Sequence, residues 1–139
     1  MSEIPAWFIF VVIFIVLDFF VVLFVVLKKF KEKSFRPEEL QYIRSHWIRI
    51  IDSLESHPKQ AVMDADKLLD YALSRKGFNG TVAEKLKASG PRFSDLNGLW
   101  NAHKLRNRIA HELSDIQLAE AKQAMGNFKN ALNDLGAKL

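Results

Sequence analysis

The sequence predicts an all-α protein in which a single N-terminal transmembrane helix is followed by a four- or five-helix bundle. Three observations predict it. The run from Ala6 to Leu27 is almost wholly apolar and long enough to cross a bilayer. Beyond it, apolar residues recur at helical spacing as far as Leu135, and no stretch alternates in the manner of a strand. Proline, glycine and capping-box signals divide that region into helix-length pieces. The resulting organisation is a transmembrane anchor over 1–27, a basic juxtamembrane linker over 28–36 and a cytoplasmic helical domain over 37–139.

The anchor reads AWFIFVVIFIVLDFFVVLFVVL, with Asp18 as its one charged residue. At about 1.5 Å per residue it covers roughly 33 Å, against a hydrocarbon core of about 30 Å. Asp18 near the midplane costs about 2.5–3.5 kcal/mol, while each apolar residue returns about 0.3–0.6 kcal/mol, so insertion is favoured. Met1, Ser2 and Glu3 provide no basic flank, and no small-residue cleavage site precedes Lys28, so the segment is expected to be retained rather than cleaved as a signal peptide. Asp18 is either an intramembrane polar contact between copies of the chain or a protonated carboxyl with no partner.

Lys28, Lys29, Lys31, Lys33 and Arg36 follow the span directly. This asymmetry places the protein in the cell membrane as a single-pass chain, N-terminus outside and C-terminal domain in the cytoplasm. It also locates the basicity. The whole chain carries +4, but residues 37–139 hold 15 Lys and Arg against 13 Asp and Glu, or +2. The basic cluster thus reads as a topology signal facing the lipid bilayer, its first expected partner, and not as a nucleic-acid patch. Absence of cysteine excludes disulfides, iron–sulfur clusters and thiol chemistry.

The bundle begins at Pro37, well suited to a first helical turn, with Leu40, Ile43, Trp47, Ile50, Ile51 and Leu54 on one stripe. His57-Pro58 ends that helix. The next has a wide apolar face built from Ala61, Val62, Ala65, Leu68, Leu69, Ala72 and Leu73, and stops at Gly77 and Gly80. Thr81-Val-Ala-Glu84 is a capping box opening a short helix that ends at Ser89-Gly90-Pro91. A fourth helix starts after Ser94 and runs through Leu96, Leu99, Trp100, His103, Asn107 and Ala110. Ser114-Asp-Ile-Gln117 is a second capping box, expected to open a last helix carrying Ala121, Met125, Phe128, Leu132 and Leu135.

The most distinctive local sequence is Trp100-Asn-Ala-His-Lys-Leu-Arg-Asn-Arg-Ile-Ala-His-Glu112. Within it Arg106, Asn107 and His111 form R-N-x-x-x-H. On a helix Asn107 and His111 lie one turn apart, and Arg106 is about 100° to the side of Asn107. A cation, an amide and an imidazole are the groups that grip and protonate a phosphate.

This motif resembles the signature of the HEPN superfamily (higher eukaryotes and prokaryotes nucleotide-binding), compact helical bundles marked by R-x(4-6)-H with a polar residue after the arginine. Arg106, Asn107 and His111 match it position by position, and the helix order over 37–139 is compatible. The resemblance implies a metal-independent endoribonuclease acting as a homodimer on RNA, with both copies of the motif lining one cleft. In that reading two His111 side chains supply base and acid for attack of a ribose 2'-OH on the adjacent phosphate. Arg106 holds the phosphate, and Asn107 orients it or His111. His103, Lys104, Arg108 and Glu112 would support the site. The alternative is a non-catalytic, membrane-tethered adaptor, nucleotide-binding or dimerisation module, in which Arg106 and His111 are structural. The membrane anchor departs from the freely diffusing toxin-like members of the superfamily.

Other constellations carry less. His103 and His111 are about 12 Å apart along one helix and cannot share a metal. His103 is expected to line the motif's cleft or to pack beside Trp100. His46 and His57 read as a helix-surface and a helix-end residue, and Asp66 and Asp70 as a solvated face beside Lys67. Trp47 and Trp100 read as packing anchors. Gly77-Phe-Asn-Gly80 lacks the Lys-Ser/Thr of a phosphate-binding loop. No metal and no cofactor is predicted.

Overall fold

A computed structural model of the chain describes residues 5–30, 33–113 and 115–139. Among these residues the secondary structure is entirely helical: α1 (Ala6–Phe30), α2 (Pro37–Ser53), α3 (Pro58–Arg75), α4 (Val82–Ser89), a short 3-10 turn (Gly90–Arg92), α5 (Leu96–His111) and α6 (Leu118–Asp134). The chain divides into two compact units, residues 1–33 and 34–139.

The first unit is α1. Its stretch Ala6–Leu27 is long and apolar enough to cross a membrane, and every side chain from Pro5 to Leu27, Asp18 included, is exposed. Of the basic cluster that follows, Lys31 lies outside the described residues, as does the flank Met1–Glu3.

The second unit is the bundle of α2 to α6, five helices where the sequence predicted four or five. The central helix is α3, which packs against α2, α5 and α6 and more lightly against α4. Small residues make this possible: Ala61, Ala65 and Ala72 on α3, with Ala121, Ala124 and Ala131 on α6, are buried and let the helices approach closely. Ile43, Leu69, Leu73, Leu86, Leu99, Phe128 and Leu132 fill the core with no exposed surface. Each such side chain contributes about 1.5–3 kcal/mol by leaving water.

The helix ends follow the sequence signals closely. Thr81 and Glu84 form the expected capping box: the Thr81 N–H donates to the Glu84 carboxylate (2.7 Å), and the Glu84 N–H donates to Thr81 Oγ1 (3.3 Å). At the end of α3, Gly77 has φ +94°, and the Phe78 N–H reaches back to the Leu73 carbonyl (3.1 Å), closing a Schellman motif. Gly136 (φ +98°) repeats the device after α6, with the Ala137 N–H on the Leu132 carbonyl.

Three features differ from expectation. Two residues of the expected linker serve the bundle instead: Phe35 is buried, and the Arg36 N–H donates to the Glu39 carboxylate (3.0 Å) at the start of α2. Ile51 is 40% exposed and Ile48 60%, because α2 packs mainly on α3 and its outer face is uncovered. As expected, α5 starts after Ser94, and its cap is Asp95, which accepts from the Gly98 N–H (2.8 Å). Finally, α6 starts at Leu118, later than the Ser114–Gln117 box implied. Ser114 itself lies outside the described residues, and the Gln117 N–H donates to Glu120 (3.2 Å) at the start of α6.

Candidate functional site

The candidate site lies on the C-terminal half of α5, where the helix is flanked by α3 on one side and α6 on the other. The first link to α3 is Asp66. Expected on a solvated face, it is 2% exposed. It belongs to the apolar stripe of α3, since Val62, Asp66, Leu69 and Leu73 recur at helical spacing and all are buried. A carboxylate in that position requires partners, and α5 supplies them.

His103 Nδ1–H donates to Asp66 Oδ1 (2.8 Å). The Asn107 amide donates to His103 Nε2 (3.3 Å), and Arg106 Nη1–H donates to Asn107 Oδ1 (3.1 Å). Arg106 Nε then lies 3.4 Å from Asp66 Oδ2, an ion-pair separation whose geometry leaves Nε without a hydrogen bond. The four side chains therefore form a closed ring. Its donors and acceptors assign the histidine tautomer and the amide orientation. A proton on Nε2 would face the Asn107 NH2, and turning the amide over would set that NH2 against the Arg106 guanidinium. The Trp100 ring meets His103 edge-on, with centroids 6.0 Å apart, so His103 packs beside Trp100 as one of its two expected placements.

The ring removes His103 from direct chemistry. The residue is 7% exposed and both ring nitrogens are engaged. The Arg106 side chain retains 28% of its exposure. Asn107 points back toward His103 and Arg106 and makes no hydrogen bond with His111 among the described residues. His111, the last residue of α5, is exposed, as are Glu112 and Leu113 after it.

Lys104 and Arg108 fall on the α6 side, lining a groove of about 320 Å3 with Asn101, Gln123 and Asn127. Arg108 is paired with Glu120 (2.7 Å). That hydrogen bond raises the arginine above its ordinary value, with a smaller contribution from Glu112, and holds the Glu120 carboxyl below the usual range. Of the residues singled out from sequence, the structure thus joins His103, Asn107 and Arg106 in one network. It sets Lys104 and Arg108 on another side and leaves His111 at the helix end. Asp66 is the residue sequence reasoning missed. Among the described residues no group of three or more His, Asp or Glu side chains is placed to hold a metal ion.

Compared with protein-family models, curated proteins and solved structures, the chain matches none.

Proposed function

We propose that this protein is a membrane-anchored, HEPN-like endoribonuclease that cuts RNA without a metal and works as a homodimer. The observation that carries the reading is the contrast on α5 between a guanidinium fixed by Asp66 and Asn107 and an exposed His111 with no hydrogen bond among the described residues. A fixed cation and a free imidazole are what phosphate gripping and proton transfer require. Helical geometry supports the dimer: Arg106 and His111 are five residues apart, hence about 140° apart around α5, so a single copy does not turn both toward one phosphate. Two copies also provide two imidazoles, a base for the 2'-OH and an acid for the 5'-oxygen.

The cytoplasmic location rests on the basic cluster after α1, and Asp18 is the polar contact by which the spans associate. A lower dimer fraction for Asp18→Leu in detergent supports that contact, and an unchanged fraction removes it.

The test is incubation of the full chain in neutral detergent with mixed-sequence RNA and excess EDTA, beside Arg106→Ala and His111→Ala. Cleavage by the wild type alone, leaving 2',3'-cyclic phosphate and 5'-hydroxyl ends, is the expected result. A folded dimer that leaves RNA intact refutes the reading. The second reading, a non-catalytic tethered adaptor or nucleotide-binding module, is favoured by the ring itself, since Arg106 already has a carboxylate partner. In that case His111→Ala changes neither the fold nor the dimer.

A further inference from the structure

A second cleft, of about 630 Å3, lies between α2 and α3, away from the α5 motif. That size falls in the roughly 300–1,000 Å3 range of small-molecule pockets. One wall is aromatic. The His46 and Tyr42 rings stack with centroids 3.8 Å apart, Tyr42 stacks on Tyr71 at 4.4 Å, and the Arg75 guanidinium lies 5.3 Å from the Tyr71 ring. The four groups make a continuous ladder, and His46 is its end within the cleft. His46 Nδ1–H donates to the Tyr42 carbonyl (2.8 Å), which fixes the plane of the imidazole. Among the described residues no other ring or cation lies over it.

Farther along the same cleft the lining is polar and cationic. Arg49 lines the cleft and makes no hydrogen bond or ion pair among the described residues. Lys67 reaches Asp64 at 3.9 Å, and that carboxylate, the one acidic group lining the cleft, also accepts from Gln60 (2.8 Å). His57 closes the end, its Nδ1 turned to Ser56 Oγ (2.9 Å). A flat imidazole step beside an uncommitted guanidinium and a weakly engaged ammonium suits a ligand with a planar ring at one end and an anion at the other.

We propose that the α2–α3 cleft binds a nucleotide unit, with its base stacked on His46 and its phosphate held by Arg49 and Lys67. The unit is either a free mononucleotide or one residue of a single strand, since the chemistry recognised is the same. The site is independent of the R-N-x-x-x-H motif and stands whether or not that motif cuts RNA.

The test is calorimetric titration of the full chain in neutral detergent with AMP, with inorganic phosphate and with a 2'-O-methyl oligoadenylate that cannot be cleaved through its 2'-oxygen. AMP is expected to bind saturably and more tightly than phosphate. Arg49→Ala and Lys67→Ala each weaken it about tenfold, near 1.4 kcal/mol, and His46→Ala abolishes the preference for AMP over phosphate. The three side chains lie at or near the surface, and retained helical ellipticity checks that their variants fold. Binding of the oligonucleotide alone assigns the cleft to a strand, and binding of AMP alone assigns it to free nucleotide. The proposal is overturned if neither binds, if phosphate binds as tightly as AMP, or if the three variants bind like wild type. It is also overturned if AMP binding is lost in Arg106→Ala or His111→Ala and kept in Arg49→Ala.

Discussion

Replacing Asp66 by alanine tests the ring at its most buried member. The lost hydrogen bond from His103 to a charged acceptor is worth about 1.5–3 kcal/mol. The ion pair with Arg106 adds less than about 1 kcal/mol, because a guanidinium with 28% of its surface exposed recovers water when its partner goes. Asp66→Ala should therefore cost about 2–4 kcal/mol. For a bundle of roughly 100 residues that lowers the melting temperature by roughly 10–25 °C. Asp66→Asn keeps the shape and an acceptor for His103 but sets an NH2 near Arg106 Nε, and about half the loss is expected. The assay is thermal and denaturant unfolding of the full chain in detergent, followed by ellipticity at 222 nm. A double-mutant cycle with Arg106→Ala separates the pair from its surroundings. A loss below about 0.5 kcal/mol for Asp66→Ala, the level of an ordinary surface change, would refute a ring that holds α5 to α3.

The contact between α4 and α3 predicts an asymmetry. Lys85 is buried, and its ammonium reaches the Asp70 carboxylate and Ser74 Oγ (2.7 Å), while Asp70 is 42% exposed. Asp70→Ala strands a buried charge and should destabilise more than Lys85→Met, which leaves a hydrated carboxylate and keeps the apolar stem. Equal losses in denaturant titrations would contradict this. The Glu84 cap predicts a pH dependence. The Thr81 N–H first, and its hydroxyl second, hold the Glu84 carboxyl below its ordinary value of 4.5. A depressed carboxyl contributes stability in full above that value and loses it as pH falls through the lower folded value. Glu84→Gln should therefore flatten the acid limb of the stability curve below pH 4.5. An acid limb identical to wild type would count against the cap.

How much of the fold and site was legible in the sequence depended on whether the signal was local. Thr81 with Glu84, and Gly77 and Gly136 with their positive φ, act through neighbours within a turn or two, and each was readable from residue types and spacing alone. The apolar length of α1 was readable for the same reason. Ile51 was not, because helical period places a residue on a stripe but does not say how many neighbours will cover that stripe. Asp66 was misread by giving weight to its neighbour Lys67, when positions 62, 66, 69 and 73 already placed it on the buried face of α3. A carboxylate recurring in phase with Val and Leu is itself a signal, since burial there obliges a cationic or N–H partner on another helix. Arg106 and His103 on α5 were the available candidates.

The direction of Asn107 was legible in principle as well. Side chains on an α-helix lean toward its N-terminus, so an amide midway between His103 and His111 reaches back to the former. That lean gives His103 Nε2 a donor and Arg106 Nη1 an acceptor. It leaves His111, exposed at the end of α5, outside the ring.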